Sequence, residues 1–409
     1  MSQRPVFVAS AELRPKLPAA ALGLLIAINV ALWPLITYDM REFLVPWVQH
    51  IAAHGPIAAF GHPFSNYTPT YLYLLALASP LLAIISSVSL VKLVSAVGTL
   101  WAGWSICRLL KASGSEPSQL VAIGALLIPT LLLNGGFFGQ CDALWAAPCL
   151  LAVASAVKKK PRTMLLWWGV ALAFKAQAIF LAPFVAGFLI AKRGEWHSWL
   201  IPPAVYAAFM LPAWALGWPA ADLALVYVRQ AGTFADLSMN APNIWVIVQD
   251  VPSLGALPLT PLAFAAAAAA GALLILALRG KADPDRLILL ALLSVLLLPG
   301  LLPRMHERYF LLADLLAFTY AVRRGDRRAW LIFGAVELGS SLGLLAAVLS
   351  VVAFAQLGAV TMILGTLTCV SLAFRERRMR VANRQTDLID IAPRPVEVGA
   401  LLPPVPSIP

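Results

Sequence analysis

Apolar stretches of membrane length, separated by short clusters of lysine and arginine, recur along most of this chain. A continuous run of ~20 apolar residues crosses the hydrocarbon of a bilayer as a helix, because a helix satisfies its own backbone hydrogen bonds. The pattern dictates an all-α, polytopic integral membrane protein. The composition agrees: of 409 residues, 61% are hydrophobic and only 12% charged, well outside the range of a soluble domain.

The net charge of +11 would suit a nucleic-acid partner if the basic residues formed one patch. They do not. Of the 30 lysines and arginines, 24 fall between apolar runs: Arg4, Arg14 and Lys16; Arg108 and Lys111; Lys158 to Arg162; Lys192 and Arg193; Arg279, Lys281 and Arg286; Arg323 to Arg328; and Arg375 to Arg394. The positive-inside rule makes these cytoplasmic loops, and no nucleic-acid partner is expected. Cys107, Cys141, Cys149 and Cys369 are scattered through apolar segments without paired spacing, so neither a disulfide framework nor a zinc site follows.

Holding the basic clusters inside fixes a path. Spans are expected near 17–38, 88–110, 119–137, 140–157, 163–176, 178–191, 198–218, 258–279, 285–303, 309–322, 329–349 and 352–374. The first has no small-residue cleavage site behind a short core and is expected to be retained rather than removed as a signal peptide. About twelve crossings, eleven to thirteen, put both termini in the cytoplasm. Residues 163–190 would suffice for one crossing, but one crossing reverses every later loop. The run is therefore split at Lys175-Ala-Gln177 into two short broken helices, which membranes accept where they line a cavity. The apolar segment 67–87 is read as an interfacial or re-entrant helix on the outer side. The chain thus divides into a cytoplasmic N-terminus (1–16), a single transmembrane domain (17–374, outer loops 39–87 and 219–257) and a proline-rich, disordered cytoplasmic tail (375–409).

Threaded in this way, the remaining polar residues emerge on one side. The first outer loop begins with Asp39, Arg41 and Glu42 and continues through His50, His54, His62, Asn66 and Tyr67. The next turn carries Asn134, Gln140 and Asp142; Lys175 and Gln177 mark the break; and 219–257 adds Asp222, Arg229, Asp236, Asn240, Asn243, Gln249 and Asp250. Finally, "LLPRMHERYFLL" (301–312) places Arg304, His306, Glu307 and Arg308 at one point between two apolar runs. An ionisable side chain at bilayer depth costs roughly 2.5–3.5 kcal/mol on insertion scales, so such residues are functional candidates. The plainer alternatives are that Lys175 and Asp142 pair and brace helices, and that Arg304 snorkels at a span end.

Several cations near one leaflet (Lys175, Arg229, Arg304, Arg308) suit a phosphate at the membrane surface, since arginine forks onto phosphate oxygens and lysine adds a point charge. A carboxylate at the entrance, Asp39, can take a proton from an incoming hydroxyl. Together these describe sugar transfer from a lipid phosphate, which leaves readily once cations meet its charge. Two other motifs fail. His306-Glu307 begins like a zinc-protease helix, but Phe310 stands where the second histidine belongs, and Asn66-Tyr67-Thr68 is a glycosylation pattern followed by Pro69 and reads as a turn.

Three stretches carry a family resemblance: Asp39 followed by "NYTPTYLYLLALASP" (66–80); "GGFFGQCDALWAAPCLLAVA" (135–154) with "GVALAFKAQAIFLAPF" (169–184); and "PRMHERYFLLAD" (303–314). In these the chain resembles the GT-C superfamily of polyprenyl-phosphate-sugar-dependent glycosyltransferases, the bacterial relatives of lumenal mannosyl- and glucosyltransferases. The resemblance implies a polyprenyl-phosphate hexose donor and inversion at the anomeric carbon, with neither nucleotide sugar nor metal nor other cofactor. It also implies catalysis on the periplasmic or lumenal side, with membrane lipids around the protein. By position it makes Asp39 the catalytic base, with Glu42 sharing the role because Met40 stands where many members carry a second acid. Arg304, His306, Glu307 and Arg308, with Lys175 and Arg229, become donor-binding residues; Asn66, Tyr67, Gln140, Asp142 and Gln177 line the cavity. The sugar and the glycan, lipid or protein acceptor do not follow from it. The basic inner loops and short outer loops suit a bacterial inner membrane. The rival readings are a flippase or transporter of lipid-linked saccharides, an O-antigen ligase or polymerase using a diphosphate donor, and a noncatalytic subunit.

Overall fold

The computed structural model describes residues 16–191, 196–231, 236–254, 257–279 and 282–391. The N-terminal segment before Lys16, the basic residues Lys192, Arg193 and Lys281, and the tail from Ala392 lie outside the described residues.

Helix α1 (Lys16–Leu32) leads past Asp39 into a π-helical turn (Met40–Leu44) and α2 (Val45–His54). Then come α3 (Pro69–Ala78), in the segment expected to be interfacial, and the long α4 (Ser87–Ala112). Next, α5 (Gln119–Leu126) and α6 (Pro129–Leu132), the latter continued by a π turn to Phe137, meet at a bend of 57°. Pro129 causes it, since proline lacks an N–H and pushes Ile128 out of the helical region, to φ −56° and ψ 119°.

Helix α7 (Asp142–Val157) is the axis of the fold, buried at every residue. Its run of alanines lets α4, α8 (Pro161–Phe174), α14 (Pro284–Leu301) and α15 (Leu311–Arg324) pack around it. A helix apolar on all sides belongs in this position. After α8 the chain straightens at Lys175 (φ −158°, ψ 144°), makes a 3-10 turn over Ala176–Leu181 and resumes as α9 (Ala182–Ala191). The peptide groups loosened there find side-chain partners: the Thr68 hydroxyl donates to Ala173 and Phe174 carbonyls (2.7 and 3.0 Å), Ser294 to Phe180, and the Trp168 indole to Ala178. Such re-satisfaction permits broken helices at this depth.

The remaining helices are α10 (Ile201–Ala215), α11 (Ala220–Ala231), α12 (Ile244–Val248), α13 (Leu259–Ala277), α16 (Arg327–Leu349) and α17 (Val352–Ile391). Side-chain caps set several starts: Ser86, Ser118, Asp283 and Asp326 each accept a backbone N–H three residues on. Small residues allow close crossings. A Cβ added at Gly187 would lie 3.0 Å from the Ile275 Cα of α13, so α9 and α13 approach backbone to backbone. Two strands, β1 (Ser238–Met239) and β2 (Met305–His306), pair in parallel, with Met239 opposite His306.

Among the described residues five helices are long and apolar enough to cross a membrane: α4, α13, α14, α16 and the portion of α17 up to Arg375. The bent α5–α6 pair makes a sixth. The expected count of twelve is corrected to that extent. Counting apolar runs treats each as one helix, but Pro129 and Lys175 interrupt two of them, and α1 and α7 hold 17 and 16 residues. The apolar outer surface fits lipid: Leu100, Leu273 and Leu364 are each more than half exposed. The chain forms one compact unit up to Cys369 and a second from Val370. The second is helical as far as Ile391, further than the expected tail allowed, because its Arg, Glu and Gln residues favour helix and no proline intervenes before Pro393.

Candidate functional site

The site forms where α1 ends, α7 begins, the α8–α9 break lies and β2 leads into α15. Helix α7 delivers Asp142 as its first residue, fully buried. The Asp142 carboxylate accepts from Lys175 Nζ (2.6 Å) and Trp145 Nε1 (3.1 Å) on Oδ1, and from Asn134 Nδ2 (2.9 Å) on Oδ2. Lys175 reaches it because the extended residue turns out of α8; its ammonium also lies 5.0 Å from the centre of the Tyr67 ring.

Arg308 joins this buried knot to the surface. Its Nη1 lies 2.9 Å from Asp39 Oδ2 and 3.0 Å from Glu307 Oε1, and its Nε lies 3.8 Å from Asp142 Oδ2. Asp39 Oδ2 also accepts from Gln140 Nε2 at 2.9 Å. Asp39 is the accessible member, with 29% of its side chain exposed, whereas Arg308 shows 13% and Asp142 none. One guanidinium thus faces three carboxylates, and one of the three can meet a ligand from outside.

Burial alone would raise the Glu307 carboxyl. The adjacent Arg308 guanidinium and His306, whose Nδ1 is 3.7 Å from Glu307 Oε2, outweigh it and hold Glu307 below the usual carboxylate range. Burial pushes the Tyr67 hydroxyl up to about 12 against the opposing pull of Lys175, so it stays a neutral donor. Three buried acceptors, Gln140 Oε1, Gln177 Oε1 and Asn134 Oδ1, have no hydrogen-bond partner. Groups of this kind suit a ligand rich in hydroxyl donors.

The backbone at Arg304 is left-handed, with φ +62°, and so is Asn240, with φ +56°. One precedes β2 and the other follows β1. Non-glycine residues seldom adopt this region, and such outliers cluster at functional segments. The Arg304 N–H donates to the Leu237 carbonyl at 2.8 Å, so "RMHER" is locked onto segment 236–240.

Of the expected residues, the fold brings Asp39, Tyr67, Gln140, Asp142, Lys175, Glu307 and Arg308 together, with His306 and Gln177 beside them. Three expected residues lie apart from this group. Glu42 is exposed on the π turn and is not joined to this knot. Arg229 is over half exposed and ion-paired to Asp222 on its own helix, seven residues away, where the amphipathic face of α11 places it. Asn66 turns its side chain to the surface, and its carbonyl accepts from Gln230.

Reading the sequence missed Asn134 as the second brace of Asp142, and it missed Asp314 and Glu337, two fully or nearly buried carboxylates behind Arg308. The signal was present, because each acid stands alone inside an apolar run. Among the described residues no group of three or more His, Cys, Asp or Glu is placed to hold a metal ion. Compared with known proteins, the chain matches no family model and no curated protein.

Proposed function

We propose that this chain is a membrane glycosyltransferase of GT-C type. It moves a hexose, mannose or glucose, from a polyprenyl-phosphate donor to an acceptor hydroxyl on the periplasmic or lumenal side, with inversion and without a metal. The observation that carries the reading is the Asp39–Arg308 pair: a partly exposed carboxylate hydrogen-bonded to a guanidinium that a buried network holds in place. Asp39 accepts the proton of the attacking hydroxyl as the new C–O bond forms. Arg308 turns a fork toward the departing phosphate and meets its charge as the old C–O bond breaks. Lys175 is consumed by Asp142, so its part is to hold Asp142 and, through it, the orientation of Arg308. Gln140 keeps the Asp39 carboxylate facing the same point.

The test uses the purified protein in lipid bilayers with labelled undecaprenyl-phosphate mannose or glucose and a membrane lipid extract. Label should leave the donor in the wild type and slow by ~10²-fold or more in Asp39→Asn, the loss typical of a removed general base. Equal transfer by Asp39→Asn and Arg308→Ala in folded protein would overturn the assignment. Label that crosses the bilayer while still on its donor would replace it with lipid-linked saccharide transport.

A further inference from the structure

Behind Arg308 lies a small space bordered by Thr130, Asn134, Glu307, Arg308, Asp314 and Ser340, with Leu311 and Leu344 beside them. It leaves about 10 Å³ for the centre of a water-sized sphere, room for one water molecule. Asp314 and Asn134, both on this wall, are 0% and 1% exposed, and Asp314 Oδ2 and Asn134 Oδ1 have no hydrogen-bond partner. Arg308 Nε, on the same wall, also has no hydrogen-bond partner, so a single water can accept from it while it bridges the two orphaned oxygens.

The two acids at this spot are not equivalent. Glu337 receives three donors: Thr130 N at 2.8 Å, Thr130 Oγ1 at 3.0 Å and Ser341 Oγ at 3.4 Å. Asp314 receives Ser340 Oγ at 2.9 Å and otherwise only a weaker approach of the Thr130 side chain, whose hydroxyl donates to Glu337. Among the described residues neither acid is ion-paired with a cation, and the nearby Arg308 is already engaged by Asp39 and Glu307. Donors to the charged form stabilise a carboxylate, and two like charges sharing a buried site cannot both persist. The other ionisable groups facing Asp314 are Glu337 from α16 and Glu307 and Arg308 from the segment before α15, with Asp142 of α7 beyond Asn134.

We propose that this cavity is a proton and water site. Asp314 holds a proton on Oδ2 and donates it to one bound water, which donates in turn to Asn134 Oδ1, while Glu337 remains the carboxylate. The consequence falls on Arg308: with Asp314 neutral, no fourth carboxylate draws the guanidinium back into the bundle, and its charge faces Asp39. The proposal stands whether or not the protein transfers sugar.

Infrared spectroscopy of the whole protein in lipid tests it. At neutral pH the wild type should show a carboxylic-acid C=O band that shifts when aspartate carries heavy carbon at its carboxyl, and not when glutamate does. The band should vanish in Asp314→Asn and persist in Glu337→Gln. If Asp314→Asn does not fold, Ser340→Ala assigns the band by a frequency shift, since its hydroxyl donates to Asp314 Oδ1. Absence of an aspartate acid band, a band that follows glutamate labelling, or a band untouched by both Asp314→Asn and Ser340→Ala would each overturn the proposal.

Discussion

Helix α15 has an ionic cluster at each end, and the two are built from the same side-chain chemistry. Fourteen residues separate them, about 20 Å at the usual helical rise. At the N-terminal end, Arg308 meets Asp39, Glu307 and Asp142 beside the Lys175–Asp142 pair, with side-chain exposures between none and 29%. At the C-terminal end, Arg323 and Arg324 meet Asp285 and Asp326, with exposures from 25% to 42%. The distances overlap, since both clusters contain contacts of 3.0 Å. What differs is the solvent. The more exposed cluster gains less from each pair, because water and salt reach its side chains and screen them in part; it caps α15 and α16 and sits where the sequence is basic. The buried cluster cannot fall back on water, so each member depends on the others, and a ligand that takes one partner changes the energy of the rest.

The largest expected break in this comparison comes from Lys175→Met. It leaves Asp142 fully buried with Asn134, Trp145 and a guanidinium 3.8 Å away. Removing one partner of a buried pair costs about 3–5 kcal/mol, whereas removing both together is often close to neutral. Thermal or denaturant unfolding in detergent should therefore show Lys175→Met as severely destabilised and Lys175→Met with Asp142→Leu as largely recovered. Equal loss in the single and double variants would mean that the pair is not coupled as the geometry states.

Next in size is Arg308→Met. Asp39 keeps Gln140 and partial hydration, and Glu307 keeps His306, so the cost should be lower, about 2–3 kcal/mol, in the range for breaking a hydrogen bond to a charged group. The same variant should abolish donor turnover if the proposed chemistry holds. Arg308→Lys should keep most of the stability and lose most of the turnover, because lysine supplies the charge without the fork.

The buried cluster is partly legible in the sequence. Asp142, Lys175 and the "RMHER" stretch stand out because ionisable residues in apolar runs are costly, and the break at Lys175 shows as a lysine inside a run. What pins them is not legible. A pair of two-residue strands has no periodicity to detect, and the partnership of Asn134 with Asp142 depends on a π turn that no pattern announces. Nor is the position of Arg229 legible, because a sequence shows an arginine in a loop region but not that Asp222, two helical turns earlier, pairs with it. The number of crossings failed for a related reason: hydropathy reports runs, while prolines and buried polar ends decide where a helix stops.

A smaller effect separates the two ends by pH. Glu307 and Asp326 both sit below the usual carboxylate range. Burial opposes Glu307 and Arg308 and His306 overcome it; for Asp326 a weaker burial is overcome by the Ala329 N–H and Arg324. A depressed carboxyl contributes stability that is present above its unfolded value, about 4.3 for glutamate and 3.9 for aspartate, and lost as pH falls through the folded value. Glu307→Gln should therefore flatten the acid limb of a stability profile below about pH 4 and leave neutral pH less stable. Asp326→Asn should do the same only weakly, and added salt should erase its effect while sparing that of Glu307.

The smallest expected effect is at the exposed end itself. Asp285 lies 3.0 Å from Arg323 Nε and 3.5 Å from Arg324 Nη1, and its side chain is one-quarter exposed. Asp285→Asn should cost within about 1 kcal/mol at low salt and less at high salt, because screened surface pairs seldom exceed that. A much larger, salt-insensitive loss would mean that the C-terminal end of α15 is as dry as its N-terminal end. The contrast between a solvent-screened end and a buried knot would then fail. A loss of the expected size leaves the contrast standing on solvent exposure alone, since the charges and distances at the two ends do not distinguish them.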